Sequence, residues 1–310
     1  MKTTLALASI FALSVPVLAG CADPSRAVEA GDLRDELASM PGVVSAQLDY
    51  TEPLTLDSGK LELRVEMDPG ASADQVSEVV ATTYTAFEGV HHDEEGDLHV
   101  TIGDDAVHLR SFQPDAETAD VAAAAERAVA VLPSGTVSAG IDTQDVSAAP
   151  HVHTQYDVVV AEPGAEGLLS TLASLEAAHS GIPHAGWTVR SSDDSWGITA
   201  ADGFPDHGQL DRFDQLREGL PANAAIWLGE DDLTLRLSPD TSPTDASAVV
   251  GRQLALVGGA RNAFYEVQQG EDSLAMFLDG ECFFDDGTAG ALLEKDHGGE
   301  CTDVKHPEPA

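Results

Sequence analysis

Positive charge is what this chain has least of. Fifteen Lys and Arg stand against 54 Asp and Glu, a formal net charge of −39, and beyond Lys2 the lysines are Lys60, Lys295 and Lys305. Most nucleic-acid and anionic-membrane partners are excluded, because phosphates are held by clustered cations. A polyanion of this kind draws divalent cations, but weakly and without selectivity. Cysteine is scarce at three residues, and no Cys-x-x-Cys pair is present to seat a metal. Catalytic signatures are missing as well. There is no Gly-x-Ser-x-Gly elbow, no Ser-x-x-Lys, no His-Glu-x-x-His helix, no phosphate-cradling glycine loop and no dinucleotide fingerprint. No Asp-x-Asp-x-Asp-Gly run spaces ligands for calcium. Glycosidase carboxylates leave no motif, so their absence is not tested this way. Neither cofactor nor enzyme chemistry is expected.

What is present is material for a core. Apolar residues make up 43% of 310, which sets the chain apart from disordered acidic tails and allows two or more small domains. They fall in repeating patterns. Val44-Ser45-Ala46-Gln47-Leu48-Asp49 returns as Val137-Ser138-Ala139-Gly140-Ile141-Asp142, each time after a helix ending near a proline, Pro41 or Pro133. A third copy follows Leu220-Pro221 with the apolar run Ala224 to Leu228.

Inside the first copy, Leu61, Leu63, Val65 and Met67 alternate with Glu62, Arg64 and Glu66, the period of a strand with one wet face. Val76, Val79, Val80, Thr83, Tyr84 and Phe87 fall at helical spacing, and Ser72-Ala73-Asp74-Gln75 supplies a capping box. The unit reads helix, hairpin, helix, hairpin. Repeated, it predicts an α+β chain of tandem two-layer sandwiches, each a four-stranded antiparallel sheet with two helices. That αββαββ order resembles a circular relative of the ferredoxin-like pattern. The borders are set at 31–115, 116–206 and 207–280, with a Gly- and acid-rich C-terminal tail at 281–310. Exchange of a hairpin between neighbouring units is left open.

The first residues carry an address. Lys2 precedes an apolar run from Leu5 to Val17, too short for the ~20 residues that span a bilayer, and Leu18-Ala19-Gly20-Cys21 follows. This resembles the signal and lipobox of bacterial lipoproteins. The resemblance implies a signal peptide at 1–20, a diacylglyceryl group on Cys21, a tether at 21–30 and a place on the outer face of a cell membrane. It also implies an oxidising compartment, in which Cys282 and Cys301 remain as an even pair and are expected to form a disulfide.

Among side chains that could do chemistry, the densest group is His91-His92-Asp93-Glu94-Glu95-Gly96-Asp97-Leu98-His99. Imidazole with carboxylate suits zinc, and His91, His92 and His99 are the candidate ligands. The plainer reading of the same residues is an exposed turn between helix and strand. His151 and His153, near Asp145, form a weaker pair; His179 falls on the helical stripe of Leu168, Leu172 and Leu175. Trp187, Trp196, Trp227, Phe264 and Tyr265 fall in strands, with Trp227 facing away from Ile226 and Leu228. The expectation is a lipid-anchored envelope protein with a non-enzymatic binding or scaffolding role toward an envelope protein partner. A zinc-capturing surface lipoprotein is the alternative.

Overall fold

In the computed structural model, which describes residues 25–54, 57–111, 116–143, 152–259 and 264–305, helices and hairpins alternate along the chain. Helix α1 (Ala27–Ala38) leads into β1 (Val43–Thr51) and β2 (Lys60–Met67), and α2 (Ala73–Glu88) into β3 (Glu95–Ile102) and β4 (Asp105–Ser111). Next come α3 (Thr118–Val131) with β5 (Thr136–Asp142) and β6 (His153–Val160), then α4 (Gly164–His179) with β7 (Ala185–Ser191) and β8 (Gly197–Ala200). Helix α5 (His207–Arg217) precedes β9 (Ala225–Leu228) and β10 (Asp232–Leu237), and α6 (Pro243–Leu256) precedes β11 (Phe264–Gln269) and β12 (Asp272–Leu278). The chain then adds β13 (Glu281–Phe284), α7 (Thr288–His297) and β14 (Asp303–Lys305).

Local chemistry starts these elements. The Ser72 hydroxyl accepts from the Gln75 amide at 3.3 Å while Gln75 Oε1 accepts from the Ser72 amide at 2.9 Å, a reciprocal cap on α2. Asp206 caps α5 through the Gln209 amide at 2.7 Å, and Ser242 with Pro243 opens α6. Asp279 and Gly280 both take positive φ, 52° and 93°, as a two-residue hairpin turn between β12 and β13 requires.

The fourteen strands form one sheet in which every strand lies beside its sequence neighbours. Hairpin partners pair antiparallel, and strands joined through a helix pair parallel. Each crossover moves one place in the same direction. The right-handed rule for such connections therefore puts the helices on one side of the sheet. Neighbouring helices touch there, α1 with α2, α2 with α3, α5 with α6 and α6 with α7.

The α+β class expected from the sequence stands, but three separate antiparallel sandwiches do not form. A helix between two hairpins is a crossover, and a crossover returns the chain parallel. Strands β4 and β5, and β8 and β9, pair this way across the borders placed near 115 and 206. The physical unit is therefore one hairpin and one helix, half the expected length. Two further borders move. Helix α1 begins at Ala27, inside the expected tether at 21–30. The expected tail at 281–310 holds β13, α7 and β14. Residues 1–24, with Cys21 and the expected signal, lie outside the described residues, as do Asp145 and His151.

Burial follows the strand period. Leu61, Leu63, Val65 and Met67 of β2, Leu98 and Val100 of β3, Tyr156 and Val158 of β6, Trp187 of β7 and Leu233 and Leu235 of β10 are buried in one continuous core. They meet Val76, Val80, Phe87, Val121, Leu168, Phe213 and Val250 from the helices. Each such side chain contributes about 1.5–3 kcal/mol on burial, so the helix-covered face is where stability resides. Strand spacing of ~4.8 Å makes the sheet about 60 Å wide. The alternate residues of every strand point to a face that no helix of the described chain covers.

Candidate functional site

The uncovered face changes character along its width. At the β2 to β5 end it is a charge ladder. Register sets Glu62 beside Asp97, Asp97 beside Arg110 and Arg110 beside Asp142, and in the next row Arg64 beside His99 and His99 beside His108. Lys60 Nζ lies 3.3 Å from Glu62 and 3.8 Å from Asp97. Asp97 is hydrogen-bonded to His108, which holds its carboxyl below the ordinary carboxylate range. His99 stands edge-on to His108 with ring centroids 5.5 Å apart. Burial first, and then the charge of His108, keep the His99 imidazole below its usual pKa. A shallow hollow of about 290 Å³ beside them is lined by Gln47, Arg64, Glu66, His99 and Thr101.

In the middle, Arg190 donates to Asp157 at 2.8 Å and to Asp194 at 3.2 Å. Asp194 also lies 3.7 Å from Arg236, and the Arg236 guanidinium is 5.6 Å from the Trp227 ring centroid. The Trp227 indole donates to Thr199 Oγ1 at 3.3 Å. A Cβ on Gly197 would lie 2.5 Å from that ring, so a glycine is what lets the indole approach β8. At the far end the face turns apolar, with Phe264, Met276, Leu278 and Phe283 on adjacent strands.

The three histidines proposed as zinc ligands take three different environments. His91 is buried, its Nδ1 2.5 Å from Glu94 Oε2. Glu94 is itself buried and accepts from the Tyr50 hydroxyl at 2.6 Å. His92 is exposed beside Asp93, with Nδ1 3.4 Å from Oδ1. His99 belongs to the ladder on β3. Among the described residues no group of three or more His, Cys, Asp and Glu side chains is placed to hold a metal ion. Sequence adjacency misleads here because the chain turns from helix to strand within the run, and alternate β3 residues then face opposite sides of the sheet. Cys282 and Cys301 are joined in a disulfide, Sγ to Sγ 2.00 Å, that ties the start of β13 to the segment after α7. His153 bonds the Ala201 carbonyl at 3.0 Å, and His179 stacks 6.1 Å from Trp187.

One arrangement has no signal in the sequence. Ser247 of α6 and His297 of α7 meet with Oγ 3.3 Å from Nε2, and His297 Nδ1 lies 3.8 Å from Glu300. These are the side chains of a hydrolytic triad in its usual order. Their hydrogen bonding does not make one. Ser247 gives its proton to Asp296 at 2.6 Å, and His297 Nε2 is 3.2 Å from the Ser247 carbonyl, an acceptor only. The nitrogen that would act as base therefore carries the proton. Ser247 also lies within a helix, its amide committed to the helical ladder, with both side chains buried between α6 and α7. A groove of about 550 Å³ between α5 and α6 is lined by Leu216, Arg252, Gln253 and Leu256 and does not reach Ser247.

Compared with known proteins, the chain matches no family model, no curated protein and no solved structure.

Proposed function

We propose that this chain is a lipid-anchored protein of the cell envelope, held at the extracytoplasmic face of the membrane through Cys21, with a non-enzymatic binding or scaffolding role. The observation that carries the reading is the uncovered face of a fourteen-stranded sheet. A broad, shallow, helix-free surface with hollows of a few hundred Å³ suits contact with another macromolecule better than enclosure of a small substrate. The Ser247, His297 and Glu300 group, closed and wrongly protonated for nucleophilic attack, adds nothing to an enzymatic reading. Nor, among the described residues, does any cluster of ligands favour zinc capture.

Two measurements test this. Substituting Cys21→Ala is expected to move the protein from the membrane to the soluble fraction. Hydroxyl-radical footprinting in intact envelopes, compared with the purified protein, is expected to protect residues of the uncovered face and leave the helices unchanged. Protection confined to the helical side, or none, would overturn the binding role.

A further inference from the structure

The apolar end of the uncovered face is a bounded block, and its boundary has a sign. Phe264 lies opposite Leu278, and Met276, two residues back along β12, lies opposite Phe283 of β13. These four side chains touch a common surface, and Phe264 is 54% exposed. Ser273, Met276, Leu278 and Phe283 line part of a concavity of about 430 Å³ over β12 and β13. Register continues each row outward into charge. Asp232 flanks Phe264, Glu281 flanks Leu278, Asp303 follows Glu281, and Glu266 sits beside Met276. Among the described residues one cation enters the rim, Lys305, which pairs with Glu281 and lies 5.3 Å from the Phe283 ring centroid. Four carboxylates and one ammonium of the described residues thus surround four apolar side chains.

From this arrangement we infer that the block binds a cationic, amphipathic segment of another protein, whose apolar side chains cover Phe264, Met276, Leu278 and Phe283 and whose Lys or Arg side chains meet Asp232, Glu266 and Asp303. The inference rests on the reading of the uncovered face as a binding surface and gives that surface its partner chemistry. Complementary potential is what selects the occupant. A second copy of the chain would bring the same acidic rim and a net charge of −39 against its own kind. Anionic lipid headgroups meet the same repulsion. Apolar anchors inside a charged rim also match the anatomy of protein interfaces, where a desolvated centre carries most of the affinity.

The test uses the full-length protein in detergent and three short synthetic peptides that alternate Lys with Leu, Glu with Leu, and Lys with Ser. Binding is read by fluorescence anisotropy at physiological salt, where exposed charges are screened beyond ~8 Å, and the bound site by hydroxyl-radical footprinting. The Lys/Leu peptide is expected to bind and to protect β11 to β13. The other two peptides, and the Phe264→Ser/Leu278→Ser variant with the Lys/Leu peptide, are expected to bind roughly tenfold more weakly or worse. Leu256→Ser on the helical side is the control and is expected to bind as the parent does. Circular dichroism checks that each variant is folded. Equal binding of the Glu/Leu peptide would overturn the cationic partner while leaving the surface in place. Protection elsewhere on the uncovered face would overturn the block but not the face. Protection on the helices, or no binding, would overturn the inference, and helical protection would count against the face as well.

Discussion

Glu94→Ala is expected to destabilise the protein by about 3–5 kcal/mol, the cost of removing a buried acceptor that takes two hydrogen bonds, at about 1.5–3 kcal/mol for each bond to a charged group. Glu94 is 3% exposed and its two oxygens are both engaged, one 2.6 Å from the Tyr50 hydroxyl and the other 2.5 Å from His91 Nδ1. His91 Nε2 is buried without a partner. A bare acceptor there is cheaper than an unsatisfied N–H, so the proton sits on Nδ1 and is donated to Glu94. Tyr50 also accepts from the Arg26 amide at 2.9 Å, which ties the start of α1 to this group. Its phenol is pushed above the ordinary tyrosine range, first by burial and then by its bond to Glu94, so it remains a donor at neutral pH. Glu94→Gln keeps the shape and one acceptor oxygen and is expected to lose about half as much. Tyr50→Phe removes one of the two bonds to Glu94 together with the bond from the Arg26 amide and is expected to cost about 2–4 kcal/mol. The assay is urea unfolding followed by far-UV circular dichroism. Tryptophan emission alone would miss α1, because Trp187, Trp196 and Trp227 all lie in the middle of the chain. A loss below about 1 kcal/mol for Glu94→Ala would refute the argument from buried acceptors. Equal losses for Ala and Gln would assign the effect to charge alone.

Replacing the disulfide by Cys282→Ala/Cys301→Ser reopens a sequence separation of 19, and chain entropy puts the cost near 3 kcal/mol; hydrogen exchange should quicken in α7 and β14, and unchanged protection there would contradict it. Gly96→Ala would set a Cβ 2.6 Å from the buried Phe87 ring, an overpacking expected to cost about 1–3 kcal/mol and to lower the Tm. His99, whose pKa is held below 6.5, takes up a proton in the unfolded chain before the folded one, so stability falls as pH drops below the ordinary histidine range. His99→Asn should therefore lose less stability than the parent between about pH 7.5 and about 5.5, and parallel curves would refute this. Asp97, lowered from 3.8, works in a separate window: its contribution is present above that value and is lost only as pH falls through the folded pKa. Finally, a serine-directed fluorophosphonate should leave Ser247 unmodified, since its hydroxyl is engaged by Asp296 and its site is closed; mass-spectrometric detection of the adduct would reverse that conclusion.

Much of the architecture could be read from local pattern. The alternation through Leu61 to Met67 is β2, the capping box at Ser72 and Gln75 opens α2, and the stripe from Val76 to Phe87 is its buried face. The block at β11 to β13 was legible only in pieces. Phe264 could be placed in a strand, but its neighbours Leu278 and Phe283 come from other strands, and cross-strand register is not a local property. The histidine run shows the opposite failure. Residues adjacent in sequence looked like one site, and a helix-to-strand turn sent His91 into the core and His99 to the open face.

Up to β12 the sequence by itself determined the elements, their order and their wet and dry sides, because capping, turn chemistry and the 2.0 and 3.6 residue periods act within a few residues; β13, α7 and β14 read as a tail. It determined the net charge of −39. Tertiary structure alone decided that the hairpins join into one sheet. The pattern at a crossover inside a repeat is the same as the pattern between repeats, so only strand pairing distinguishes a domain border from a continuing ladder. It also decided which alternate residues meet across strands, and so placed four apolar side chains inside a carboxylate rim at one end and a ladder of paired charges at the other.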